Sequence, residues 1–187
     1  MKLKKFYLFF QILIILKCLI RVVYSYDINL TNDPTVMDNL AEVYKDTVNS
    51  MKYDEIRIVF NEKKYDIAPY GRNHFNIDKT LIFYSNKGST LDFGDTNLST
   101  LRFHFLPGTE NQKLLFKNLT FINYRGLTEI YDHLLTFSVN DDKNNFSVEF
   151  ENCTFIDIDG YLLNIEVTYK QPVKEDPQLL FKNCSFK

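Results

Sequence analysis

Acidic side chains are numerous in this sequence, and two close pairs of them could carry chemistry. Asp157 and Asp159 are two residues apart in a predicted strand, and Asp141 and Asp142 are adjacent in a polar loop. Either pair could bind a cation through its carboxylate oxygens, although acids at a strand edge or in a loop are more often simply solvated. A glycoside hydrolase would need two carboxylates across a cleft, and the spacing of the outward-facing acids selects no such pair. Those acids are Glu149, Glu151, Asp157, Asp159 and Glu166.

Histidines and tyrosines give equally little evidence of a site. His74, His104 and His133 are far apart and lie in different local contexts, and the alternation around His104 predicts a surface position. Exposed tyrosine rings could stack on sugar faces, but the simpler interpretation is that they cover turns of the fold. The tyrosines near predicted corners are Tyr124, Tyr131, Tyr161 and Tyr169. We therefore expect no catalytic residue, no metal site and no cofactor.

The elements that position these side chains are indicated by three copies of one eight-residue pattern. The copies are Leu114–Phe121, Val148–Phe155 and Leu179–Phe186, spaced by 34 and then 31 residues. A repeat of this period is typical of stacked architectures, in which each unit buries its apolar face against its neighbours. Aligning the copies gives four columns: Phe116, Phe150 and Phe181; Asn118, Asn152 and Asn183; Leu119, Cys153 and Cys184; and Phe121, Phe155 and Phe186.

The second copy shows why the pattern predicts stacked coils. Val148 and Phe150 point to one side of a strand. Cys153 and Phe155 can point to the same side only if the chain bends at Asn152. Asparagine is among the few residues that tolerate the left-handed conformation of a tight bend, and stacked asparagines can hydrogen-bond along the stack. An antiparallel β-sandwich would explain the alternation of apolar and polar residues, but not the matched columns.

The copies and one upstream segment resemble right-handed parallel β-helix proteins of the pectin lyase-like superfamily. In the upstream segment, the strand-like residues 79–83 are followed by a glycine turn and by the sequence GSTLDF at residues 88–93. The resemblance covers roughly residues 34–187. It implies an all-β fold, a right-handed parallel β-helix (solenoid) of four or five coils with a helix capping its N-terminal end. It implies no particular activity, because members of one fold carry different functions.

The N-terminal segments predict secretion. Residues 1–25 combine a basic start, an apolar run at residues 6–16 and a small residue at the predicted cleavage point, which is typical of a signal peptide. The alternative is a membrane anchor, but the run is shorter than the roughly 20 residues that a spanning helix needs. Residues 26–33 are then a polar, extended leader. Asp33 and Pro34 predict the start of an amphipathic helix that ends near Met51.

Residues 34–187 form the predicted β-helix domain, and its charge limits the possible partners. Removal of residues 1–25 takes away five of the 22 basic residues and none of the 24 acidic ones, so the net charge falls to about −7. This charge argues against a general polyanion binder such as a nucleic-acid-binding protein, while leaving room for a local basic site. We also expect the domain to be incomplete at its C-terminus, because Phe186 would leave strand edges open.

Cysteines and glycosylation sequons suggest two modifications in a secreted chain. Cys153 and Cys184 could form a disulfide, because stacked strands place their Cα atoms about 4.8 Å apart. Side chains that point the same way make the required torsion difficult, so we favour free thiols that fill the interior. Six N-x-Ser/Thr sequons occur, and the bend already explains those at Asn118, Asn152 and Asn183. The better glycosylation candidates are Asn29, Asn97 and Asn145.

Two functions are compatible with these features. The first is a non-catalytic extracellular binding or surface-structural module that contacts carbohydrate or a cell-surface component along one sheet face. The second is the N-terminal part of a polysaccharide lyase or glycoside hydrolase, with the catalytic residues in later coils. We favour the first, with no nucleic-acid partner and no stable membrane span after signal cleavage.

Overall fold

The computed structural model describes residues 24–50, 53–69, 73–107, 112–126, 133–139, 146–167 and 178–187. Within these ranges the helices are α1 (Pro34–Asp38) and α2 (Leu40–Ser50). The strands are β1 (Ser25–Leu30), β2 (Glu55–Phe60), β3 (Lys64–Asp66), β4 (His74–Ile77), β5 (Thr80–Thr96), β6 (Leu101–Phe105), β7 (Gln112–Arg125), β8 (His133–Val139), β9 (Phe146–Glu151), β10 (Thr154–Asp159), β11 (Tyr161–Val167), β12 (Leu179–Lys182) and β13 (Ser185–Phe186).

All strand pairs between these elements are parallel, and they build the walls of a β-solenoid. A nine-stranded sheet bends into two faces. The first face contains β1, β2, the first part of β5, the first part of β7, β9 and β12, and the second contains β3, the remaining parts of β5 and β7, β10 and β13. A separate four-stranded sheet in the order β11-β8-β6-β4 is the third face. The predicted all-β parallel β-helix is therefore confirmed.

Phenylalanine rings stacked along the solenoid axis fill its interior. The ring of Phe150 lies 4.8 Å from that of Phe116 and 4.7 Å from that of Phe181, with planes only 7° apart in both pairs. Phe155 is stacked in the same way on the other side of the bend, 4.9 Å from Phe121 and 5.0 Å from Phe186. Complete burial of one such ring stabilises the fold by roughly 1.5–3 kcal/mol, so the buried members of these columns contribute strongly to its stability.

Asparagines with left-handed backbones separate the first face from the second. Asn118, Asn152 and Asn183 have φ values of 56°, 53° and 53°. The Asn152 side-chain amide donates to Oδ1 of Asn118 at 3.1 Å, and that of Asn183 donates to Oδ1 of Asn152 at 3.3 Å. Asn118 in turn donates to the carbonyl of Ser85 at 3.1 Å. The amide ladder thus continues one coil further than the repeat in the sequence indicates.

The two helices lie against the first strands of the solenoid. Asp33 caps α1 by accepting from the backbone N–H of Thr35 at 2.8 Å. The prediction of one helix near residues 34–51 is wrong in one respect, because the helix is interrupted at Asn39, whose φ of −125° is not helical. In α2, Tyr44 is buried, with its ring 5.8 Å from that of Phe75 and its hydroxyl donating to the carbonyl of Asn76 at 3.2 Å.

The segment that we expected to be a leader is a strand of the first face. Strand β1 pairs in register with β2 over its whole length, from Ser25 with Glu55 to Leu30 with Phe60. Ile28 and Leu30 are buried in the core. Strand β4 is a second element that the sequence pattern did not indicate. Residues 1–23 of the predicted signal peptide lie outside the described part of the chain.

Candidate functional site

The third face turns two columns of polar side chains outward. Parallel pairing sets the columns, because each outward residue on one strand lies beside its partner on the next. The first column runs through His74, Arg102, Thr136 and Asn164, and the second through Asn76, His104, Ser138 and Glu166. Most of these residues line one shallow hollow of about 320 Å³. The inward residues of the same strands include Phe75, Phe103 and Phe137, whose rings are stacked 5.1 and 5.5 Å apart beneath the surface.

Two side-chain contacts order the hollow. His104 Nδ1 lies 2.8 Å from Ser138 Oγ, so the half-buried imidazole is held on the sheet. Asn164 donates through Nδ2 to Oε1 of Glu166 at 3.0 Å. The prediction that His104 is a plain surface residue missed the first contact, because Ser138 is 34 residues away in sequence. His133 lies outside the hollow, with its ring 5.3 Å from that of Tyr161.

Arg102 supplies positive charge to this hollow. It is exposed and forms no ion pair within the described part of the chain. The other described arginines are paired: Arg57 lies 2.7 Å from Glu55, and Arg125 lies 3.3 Å from Asp95. Burial, together with the charge of Arg102, lowers the pKa of His74 below its usual range. The hollow therefore presents a guanidinium group that is not ion-paired with any described residue.

The order of groups in the second column decides what chemistry they can perform. A hydroxyl nucleophile is activated by an imidazole base, which is itself oriented by a third group, usually a carboxylate. Here Glu166 lies beyond Ser138 rather than beside His104. Glu166 is also the one carboxylate among the described residues that line the hollow, whereas a glycoside hydrolase uses a pair of carboxylates. The arrangement is suited to hydrogen bonding with a ligand.

Apart from Glu166, the described acidic residues singled out in the sequence lie outside the hollow of the third face. Asp157 is not on a straight strand as predicted but at a second left-handed bend, with φ of 53°. Asp95 and Asn123 occupy the same bend on earlier coils, with φ of 56° and 58°. The sequence signal for this second bend was an Asp or Asn directly before Ile158, Tyr124 or Thr96, which is too common to stand out. Asp159 lies nearby in the recess beside this corner. Asp141 and Asp142 lie outside the described residues.

Glutamates of the first face are held by lysines. Glu149 lies 2.9 Å from Lys113 and 3.6 Å from Lys182, and Glu151 lies 2.9 Å from Lys117. Burial alone would raise the pKa of Glu149, but the two lysines outweigh it and lower that pKa. Within the described ranges, no group of three or more His, Cys, Asp or Glu side chains could hold a metal ion.

Cys153 and Cys184 are free thiols on adjacent coils. Each donates through Sγ to a carbonyl of the preceding coil, Cys153 to Phe116 and Cys184 to Phe150, both at 3.5 Å. Burial raises the pKa of Cys153 to about 12, whereas Cys184 is only half-buried. The two thiols therefore differ in access to solvent.

Candidate glycosylation residues have different surroundings. Asn29 is exposed, and its Oδ1 accepts from Asn61 at 2.8 Å. In the sequon of Asn97, the hydroxyl of Ser99 is fully buried and donates to the carbonyl of Ile67 at 2.9 Å. Asn145 lies outside the described residues.

Tyrosines do not all lie at the surface as we expected. Tyr124 is completely buried, with its ring perpendicular to that of Phe93 at 6.4 Å. The left-handed bend at Asn123 explains the difference, since it turns the next side chain inward. Tyr161 is 57% exposed at the start of β11. Tyr131 and Tyr169 fall in segments that the structure does not describe.

Comparison of the chain with protein-family models, with curated proteins and with solved structures finds no match. Across the described ranges, none of the helices has the length and apolar character needed to span a bilayer.

Proposed function

We propose that the protein is an extracellular binding module that holds a carbohydrate ligand on its third face without cleaving it. The observation that carries the proposal is the pair of polar columns on β4, β6, β8 and β11. Their side chains include hydrogen-bond donors and acceptors at neighbouring positions, which suits a ligand rich in hydroxyl groups. The group contains a single carboxylate, Glu166, and this supports binding over glycosidic hydrolysis.

The rigidity of the surface favours binding as well. Residues on paired strands above stacked phenylalanines are already ordered, so a ligand does not have to immobilise a loop. Tyr161 adds an exposed ring at one edge of the same sheet, beside His133. Such a ring can cover the apolar face of a sugar. The hydrogen bond between His104 and Ser138 fixes two of the polar groups before the ligand arrives.

We extend the proposal to descent and location. The parallel solenoid, together with residues 88–93 and the three repeat copies, supports membership of the pectin lyase-like superfamily. The basic and apolar residues of segment 1–25 support secretion to the cell exterior, where such a ligand would be met.

A glycan array followed by titration calorimetry tests the proposal. We expect a defined set of oligosaccharides to bind, and we expect the double variant with His104→Ala and Ser138→Ala to weaken binding about tenfold or more, as for loss of two hydrogen bonds. Lys117→Ala, on the first face, is the matched control and should leave binding unchanged. Binding that survives in the double variant but is lost in the control would refute the assignment to the third face. Release of sugars or unsaturated products from a polysaccharide panel would refute the non-catalytic role.

A further inference from the structure

Arg102 differs from the other described arginines in its surroundings. Arg57 and Arg125 each contact a carboxylate, whereas Arg102 lines the hollow of the third face and forms no ion pair with a described residue. Because an exposed guanidinium is solvated by water, the missing ion pair alone does not indicate a binding site. The neighbouring side chains of the hollow must also suit a ligand. Its planar guanidinium offers five N–H donors, which bind oxyanions particularly well.

Several groups around Arg102 can donate hydrogen bonds. His74 precedes it and Thr136 follows it in the first column, and His104 and Ser138 lie in the second. The His104 imidazole uses Nδ1 for Ser138, and no hydrogen bond of its other ring nitrogen occurs with a described residue. Potential donors from two columns and three strands thus line the same hollow as Arg102.

The acid in the hollow forms no ion pair with Arg102. Glu166 is on β11, two strands away from Arg102, and its Oε1 already accepts a hydrogen bond from Asn164. The unpaired guanidinium of Arg102 is unusual against the net charge near −7 of the chain predicted after signal removal. A generally acidic surface repels polyanions, so a ligand attracted here must be recognised locally.

We propose that the hollow beside Arg102 binds a tetrahedral oxyanion, the sulfate or phosphate ester group of a glycan. A carboxylate is planar and would be satisfied by the guanidinium fork alone. A tetrahedral group directs its oxygens away from one plane, and it can therefore accept from Arg102 and from donors of the neighbouring column together. This inference rests on the proposed function, since it names the substituent that the glycan carries.

Titration calorimetry of the full chain with four probes tests the inference. The probes are one neutral oligosaccharide found by the array, its sulfate ester, its phosphate ester and inorganic sulfate alone. Arg102→Ala is compared with Arg125→Ala, which removes the same charge from an exposed position in the recess beside the second bend. Circular dichroism melting of both variants verifies that they are folded.

We expect an ester to bind more tightly than the neutral parent. Arg102→Ala should abolish this advantage, weakening the ester about 10- to 100-fold, as for loss of a charge-assisted hydrogen bond, while Arg125→Ala stays within about twofold. The higher affinity of the ester should also decrease between 50 and 300 mM salt, because salt screens its attraction to Arg102. Which of the two esters gains more identifies the source of the oxyanion.

Other outcomes separate the two proposals. If the neutral sugar binds as tightly as both esters and Arg102→Ala has no effect on the esters, the oxyanion site is refuted and the carbohydrate module stands. If both arginine variants weaken the esters equally, the attraction is a general surface effect and the site is refuted. If no glycan binds, both proposals fail, even where inorganic sulfate binds alone.

Discussion

Replacement of Asn152 by alanine probes the bend that organises the solenoid. The side chain makes two ladder hydrogen bonds, donating to Asn118 and accepting from Asn183. Each is solvent-accessible, and its net contribution is about 0.5–1 kcal/mol. Alanine must in addition hold φ at 53°, which costs roughly 1–2 kcal/mol for a residue with a Cβ atom. We expect the free energy of unfolding to fall by about 2–4 kcal/mol.

Glycine at the same position separates the two effects. Asn152→Gly also loses the ladder bonds, but glycine adopts a positive φ without steric penalty. We therefore expect it to be about 1 kcal/mol more stable than Asn152→Ala. Asn86→Ala is the matched control, because Asn86 is exposed and does not have a positive φ, and it should change stability by less than about 0.5 kcal/mol.

Urea unfolding measures these differences. The chain contains no tryptophan, so far-ultraviolet circular dichroism and tyrosine fluorescence are the suitable probes. Production in a bacterial host prevents a glycan on the Asn152 sequon from confusing the comparison. The proposed role of the bend is refuted if the free energy of unfolding of Asn152→Ala lies within about 0.5 kcal/mol of the wild-type value. It is also refuted if Asn152→Gly is less stable than Asn152→Ala.

Three further predictions concern the core, the ion pairs and the thiols. Phe150→Ala should lower the free energy of unfolding by about 3–5 kcal/mol in the same urea assay, because the ring is fully buried between two others. Phe186→Ala should lower it much less, because that ring is 59% exposed. The lowered pKa of Glu149 stabilises the fold above the unfolded-state pKa, and this stabilisation is lost as pH falls through the folded-state pKa. The difference in melting temperature between the wild type and Glu149→Gln should therefore be present at pH 7 and vanish in strong acid. Iodoacetamide should alkylate Cys184 in the folded protein well before Cys153, because Cys153 is buried and its pKa is raised to about 12. Peptide mass spectrometry follows the two reactions, and equal rates of alkylation would contradict this prediction.

Local patterns of residue type were sufficient to predict the class of fold. The interval between Phe116 and Phe121 is odd, so a straight strand would turn the two rings to opposite sides. Because both rings are apolar, both must face the core, and this requires a bend between them. Asn118 is the residue in that interval that tolerates the bend. Each copy has the same spacing and therefore predicts the same bend, so the sequence alone indicates that the copies stack.

Helix and strand details depended on contacts that no local pattern shows. The interruption at Asn39 leaves the apolar spacing of the predicted helix unchanged, so periodicity did not reveal it. Strand β4 has four residues, and its pairing with β6 makes it a strand. Likewise, β1 has the polar composition of a leader, but its two buried residues, Ile28 and Leu30, are held by register with β2.

The sequence by itself determined the inward columns, whereas only the tertiary structure decided the outward ones. A core position must be apolar and a bend must be Asn, Asp or Gly, so physical necessity leaves a repeated signature. Outward positions carry no such constraint, and residues that meet on the third face share no motif. His104 and Ser138 are neighbours because the coil between them has 34 residues, and that length fixes the register of β6 with β8. The candidate site is thus a product of coil length and register.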